Sequence, residues 1–396
     1  MKGAVRLTLF YFFLIACLGA FLRYFFISPN TYVNFRFLVH THSHVALLGW
    51  GFNAMFILVS IYFDHWNSKI KIIFWLLQVC VAGMLFTFPF QGYAGFSITF
   101  STLHILITYY YSWLIIKERD ITITYSGRFL KLGLLYFVLS TLGPFLLAIF
   151  MVKGMRDTYW YDLSIYFYLH FQYNGWFVLV IMALLLQSVE LSGICLPEKK
   201  VKTVFYLVGL TVLPEFILSV LWLDPGVVWH QVNGIISIVQ VVGILLFINV
   251  LYKPIMVIKP SFKRNLLWTL VVVLLLKSIG EFVPSFSAVA RFVFNQRGFP
   301  MAYLHLIFIG FLSIGIIFFF IQSKILRINW ILKGGIVVLF TGFIISEMLL
   351  VFQPMVVPLG LHLPMNIDEG LFYSSVLMPI GALLIFINSF QAKGNI

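Results

Sequence analysis

The chain is a succession of apolar runs, each about long enough to cross a bilayer, separated by short stretches that collect the charges, prolines and glycines. A hydrocarbon core needs about 20 residues of helix, and runs of about 18 or more with few charges read as spans. Twelve are predicted, at roughly 6–27, 40–63, 70–89, 97–117, 129–152, 163–188, 201–223, 229–252, 266–284, 300–322, 329–351 and 369–391. Lipid offers the backbone no hydrogen-bond partner and an open sheet leaves its edges unsatisfied, so the runs are expected to be helices. The expected fold class is therefore an all-α integral membrane protein, one polytopic domain over 1–396 with short connections.

Composition agrees: 62% of residues are hydrophobic and 10% charged, outside the balance of soluble domains. A net charge of +13 could indicate nucleic acid, but the lysines and arginines lie between spans rather than along one soluble face, so the lipid bilayer is the expected partner and nucleic acid is not. Nineteen of the 26 cations fall at the N-terminus, in the loops after even-numbered spans and at the C-terminus. By the positive-inside rule both termini are expected to be cytoplasmic, in a multi-pass protein of a bacterial-type cytoplasmic (inner) membrane. Leu14-Ile15-Ala16-Cys17 loosely matches a lipoprotein cleavage box, but the apolar run continues past it, so the first span is expected to stay uncleaved. Cys17, Cys80 and Cys195 show neither CxxC nor CxxCH spacing, so neither a disulfide framework nor covalently attached heme is expected.

Eight of the nine histidines fall toward the outer side on this topology, and intramembrane imidazoles are expected to face a partner, a cofactor or water. His40, His42 and His44 open the second span. Three of the eight belong to a pattern: His44-Val-Ala-Leu-Leu-Gly49-Trp50, His170-Phe-Gln-Tyr-Asn-Gly175-Trp176 and His305-Leu-Ile-Phe-Ile-Gly310-Phe311. They lie four spans apart, at intervals of 126 and 135 residues, and His104, His230 and His362 repeat at 126 and 132. Such self-similarity points to repeated units, here three four-helix arcs related by a pseudo-threefold axis, approximately 1–125, 126–260 and 261–396. The glycine would let a flat macrocycle or a neighbouring helix approach closely.

Twelve spans, cytoplasmic termini, three arcs and outward histidines resemble subunit I of the heme-copper oxidases, which include nitric-oxide reductases, and the related NnrS family. The stretch from His42 to Trp50 is similar to the HxHxxxxG(F/W) element of NnrS-like proteins. The resemblance covers the chain as topology, and its motifs cover short parts of the second, sixth and tenth spans. It implies a non-covalent heme b with one axial imidazole from the second span, His42 or His44, and the other from the tenth, His305. Aligning the oxidase-like Gly-Asn segment with Gly51-Phe52-Asn53-Ala54 favours His42, whereas the internal repeat favours His44. On a helix His40 and His44 are about 400° apart, hence on one face, and His42 is about 200° from each. Arg291 and Arg297, in the outer connection before the tenth span, are the expected partners of heme propionates, because guanidinium grips carboxylates with two parallel bonds.

Departures from the oxidase pattern bear on function. Tyr303 stands where an oxidase has the high-spin heme ligand, the seventh span has no histidine, and His170-Phe-Gln-Tyr173 replaces His-Pro-Glu-Val-Tyr. A conventional oxygen-reducing centre is therefore not expected. His170 and His230, with His104 and His362, could instead hold copper or a second heme. Glu215, Glu281 and Glu347 are rare intramembrane acids, hence candidate proton-relay groups, and Lys277 one turn before Glu281 suggests an ion pair. These residues support two functions. One is a heme b membrane protein in electron transfer or nitric-oxide- or oxygen-linked redox chemistry at the outer face, supplied by a quinol or a separate carrier, alone or in a membrane complex. The other is a proton-coupled secondary transporter using the histidines and glutamates; its class favours inverted or twofold repeats over a threefold one.

Overall fold

A computed structural model describes residues 1–29, 32–118, 120–356 and 366–391, and every regular element among them is helical. Eleven helices are long and apolar enough to cross a membrane. In chain order they are α1 (Lys2–Tyr24), α2 (Phe35–Tyr62), α3 (Ser68–Gln91), α5 (Tyr125–Val152), α6 (Tyr159–Leu191), α7 (Glu198–Leu223), α8 (Val227–Val257), α9 (Phe262–Ser285), α10 (Gly298–Gln322), α11 (Trp330–Met355) and α12 (Ile367–Gln391). Between α3 and α5 lies α4 (Gly95–Ile116), a 22-residue helix at the fourth predicted span, diluted in hydropathy by His104 and the Tyr109-Tyr110-Tyr111 run. His362 of the second histidine set lies outside the described residues, as do Arg119 and Lys393, two of the cations that bear on topology.

Helix starts are written locally. Asn34, Asn67, Thr124, Ser261 and Asn329 each accept a hydrogen bond from the backbone N–H three residues on, satisfying a donor that the first turn leaves open. The helix surfaces show the solvent they are built for. On α8, Ile235 and Ile238 are 65% and 53% exposed while Asn233, Ser237 and Gln240 are 0–2% exposed. Apolar residues outside and polar ones inside is the distribution of a helix bathed in lipid, where an unpaired polar group costs most.

The chain divides into two compact units, Met1–Tyr111 with Ile316–Ile396, and Ser112–Gly315. In the first, α11 and α12 approach closely through glycines. A Cβ on Gly381 would come within 2.5 Å of the Leu339 backbone nitrogen, and one on Gly342 within 2.6 Å of the Ser374 carbonyl. Small residues set such contacts because helices in lipid associate by packing rather than by expelling water. Asn53 on α2 and Gln78 on α3 exchange amide hydrogen bonds of 3.1 Å each way. In the second unit α5 packs on α6, and α8 on α9.

Three helices stand apart. In α2, α6 and α10 the most apolar stretch is 89%, 72% and 72% buried, against 28–50% in the other eight spans. These carry the histidine pattern.

Candidate functional site

Each patterned histidine is followed at once by an eight-residue π-helical segment: Val45–Phe52 after His44, Phe171–Val178 after His170, Leu306–Ser313 after His305. In each, the first residue beyond the segment donates its N–H to the carbonyl of the patterned aromatic, Trp50, Trp176 or Phe311. Single-turn π segments are rare and concentrate at functional sites.

Local packing repeats too. In the first unit Gly49 faces Tyr11 of α1, and Trp50 stacks on Phe12 with centroids 4.3 Å apart. In the second, Gly175 faces Tyr136 of α5, where an added Cβ would come within 2.4 Å, and Trp176 packs on Phe137 at 5.4 Å. A Tyr-Phe pair preceding His-x4-Gly-Trp is thus common to both, a signal overlooked in the sequence. Both glycines make room for a neighbouring helix.

The three histidines at the mouth of α2 separate by face. His40 and His44 lie against Tyr93, with centroids 4.6 and 5.6 Å away, and His44 also packs on Phe88. His42 lies on the other side, where a Cβ on Gly19 of α1 would meet its Cε1 at 3.2 Å. Both ring nitrogens of His44 are engaged: Nδ1 with the His40 carbonyl at 2.8 Å and Nε2 with the Tyr93 hydroxyl at 3.3 Å. His104, on α4, is fully buried against Phe52, and neither ring nitrogen has a hydrogen-bond partner. His42 and His44 belong to the first unit and His305 to the second.

The second unit holds the larger polar constellation. Pro214 in α7 supplies no N–H and forces a change of helix type, so Phe216–Leu223 continues as a 3-10 helix and the Phe216 N–H turns to Leu213 and Pro214. The Val212 carbonyl thereby left open takes a 2.8 Å bond from His170 Nε2. That bond places the proton on Nε2, and Nδ1 accepts from Asn174 Nδ2 at 3.4 Å. The same amide donates to Glu281 Oε1 at 3.0 Å. Glu281 also accepts from the Tyr303 hydroxyl and pairs with Lys277 at 2.7 Å, the i,i+4 pair expected from the sequence. Its main-chain carbonyl accepts from Asn233 and Ser237 of α8 at 3.2 Å each. Glu215, fully buried, adjoins Glu281 and accepts from Gln240 Nε2 at 2.7 Å.

Toward the mouth of α8, His230 Nδ1 donates to the Pro284 carbonyl at 2.9 Å, and its Nε2 is 3.8 Å from Asp224 Oδ1. Arg291 pairs with the same aspartate at 3.3 Å on the exposed rim, and Arg297 stands at the N-cap position of α10 with no side-chain capping bond. Glu347 lies within electrostatic reach of Arg23.

His170 and Tyr303 are therefore joined through Asn174 and Glu281. Both ring nitrogens of His170 and the Nδ1 of His230 are hydrogen-bonded, the Nε2 of His230 has no hydrogen-bond partner, His104 belongs to the other unit, and among the described residues no group of three or more His, Cys, Asp or Glu is placed to hold a metal ion. Gln240, Ser237 and Asp224 were missed in the sequence. Asn233, Ser237 and Gln240, spaced i, i+4, i+7 in an apolar run, were the available signal.

Helices of this length and surface define a multi-pass membrane protein in a lipid bilayer. No protein-family model matches the chain, and no curated protein matches it significantly.

Proposed function

We propose that this chain is a heme b protein of twelve membrane helices in three four-helix arcs, with both termini cytoplasmic, serving electron transfer or nitric-oxide- or oxygen-linked redox chemistry near the outer face. The observation that carries the reading is the threefold recurrence of a histidine followed by an eight-residue π-helical segment, on the three most buried helices. The axial pair His42 and His305 comes from the resemblance to heme-copper oxidases and NnrS-like proteins. Between the two registers on α2, His42 is favoured because both nitrogens of His44 are already bonded, and Gly19 leaves His42 a side-chain-free neighbour. Heme held by two imidazoles supplies one-electron transfer, and the apolar packing around it would limit solvent and tune its potential. A quinol or separate carrier would deliver the electrons.

The test is the optical spectrum of protein purified after expression with heme available. A Soret band is expected, lost or shifted in His305→Ala and His42→Ala and kept in His44→Gln. Absence of the band removes the reading.

The second reading, a proton-coupled transporter, is favoured by one observation: Glu215, Glu281 and Lys277 are buried together within the span region. Its signature would be solute uptake driven by a pH gradient in vesicles without heme, abolished in Glu281→Gln.

A further inference from the structure

We propose that Glu215 and Glu281 form a proton-binding site in which Glu215 is held as the neutral acid and Glu281 as the carboxylate paired with Lys277. The inference goes beyond both functional readings and does not need heme to be bound.

The first argument is charge balance. Two carboxylates and one ammonium, each no more than 2% exposed, sit among membrane helices. Ionised throughout, they would leave an uncompensated negative charge where a buried ion must be paired. One proton makes the set neutral.

The hydrogen bonds say which acid holds it. Two hydrogen-bond donors, Tyr303 and Asn174, converge on Oε1 of Glu281, and the Lys277 ammonium is paired with its Oε2. Glu215 receives one, from Gln240, and its other oxygen, Oε1, is buried without a hydrogen-bond partner. The amide oxygens of Gln240 and Asn174 are likewise buried and unpartnered. Acceptors thus outnumber donors around Glu215, and a group left that way is costly unless something donates. A proton on Glu215 supplies the missing O–H.

The other titratable groups coupled to the pair are Tyr136 of α5, Tyr173 and His170 of α6 and Tyr303 of α10. His170 already gives its proton to Val212 and accepts from Asn174, so it adds no charge. Lys277 is the cation that sets the balance.

Infrared difference spectroscopy on the full-length protein in lipid nanodiscs reads this directly, since a protonated carboxyl has a C=O stretch distinct from a carboxylate and shifts in D2O. A protonated-carboxyl band is expected in wild type at neutral pH and lost in Glu215→Gln. In Glu281→Gln the ammonium passes to Glu215, which ionises, so the band is lost there too. In Lys277→Met both acids are held neutral and the band doubles. A residue of merely structural importance would not produce loss in two variants and gain in the third. A wild type without the band, or a band untouched by Glu215→Gln and Lys277→Met, overturns the site. None of these readings depends on a Soret band, so failure here and failure of the heme reading are distinguishable.

Discussion

Deleting the Lys277 charge is the sharpest perturbation of the buried polar set. Its Nζ is 2.7 Å from Glu281 Oε2, and neither side chain is more than 3% exposed. At an effective dielectric constant of 20, unit charges at that separation attract by about 6 kcal/mol. Most of that attraction offsets the cost of removing both ions from water, so the pair's net worth is far smaller than its gross one. Breaking it from one side is different. Lys277→Met keeps most of the stem volume and, above the pH at which Glu281 takes up a proton, strands a carboxylate, an expected loss of about 3–5 kcal/mol, whereas Glu281→Gln hands the ammonium to Glu215 and costs less. Protonation of Glu281 relieves the first loss, so the penalty of Lys277→Met should shrink as pH falls. The double variant removes both charges together and should lie within about 2 kcal/mol of wild type, giving a coupling energy of about 2 kcal/mol or more. Reversible unfolding in mixed micelles, followed by circular dichroism against SDS fraction, measures all four proteins. Additive losses, with coupling below about 0.5 kcal/mol, would refute a buried ion pair at this position.

Three further outcomes are expected. Gly381→Leu drives a side chain into the Leu339 backbone and should abolish recovery of monodisperse protein by size-exclusion chromatography, whereas Gly334→Ala, with open space around it, should be neutral. With Cys17 and Cys80 replaced, the exposed Cys195 should react with a membrane-impermeant maleimide in inverted vesicles and not in intact cells; the reverse pattern inverts the topology. Tyr93→Phe releases Nε2 of His44 and should leave the heme spectrum unchanged if His42 is the ligand; a shift would favour His44.

The helices were legible because apolar length is set by membrane thickness, and α4 reads weakly by its tyrosines for the same reason. The separation of His42 from His40 and His44 was also legible, being fixed by helical angle alone. Lys277 with Glu281 was legible from i,i+4 spacing. Glu215 joining them was not, since its placement depends on how Pro214 reshapes α7 and on which face of α8 presents Gln240. Arg291 was read as a propionate partner from its charge, and the aspartate it meets is 67 residues away in sequence. The π segments left no trace in hydropathy, because bonding from i to i+5 changes which carbonyl meets which amide and not which residues are apolar.

The interval that defined the repeat acquires a meaning from those segments. Each glycine stands five positions after its histidine, a poor match to an α-helical turn but the reach of a π hydrogen bond. Each segment accommodates residues in excess of the α-helical count, and one extra residue turns the part of the helix before it by about 100° relative to the part after it. The N-terminal ends of α2, α6 and α10 are thus turned independently of the C-terminal halves of the same helices. A one-residue deletion inside any segment would leave composition, length and hydropathy nearly unchanged, yet it would point that histidine at a different neighbour.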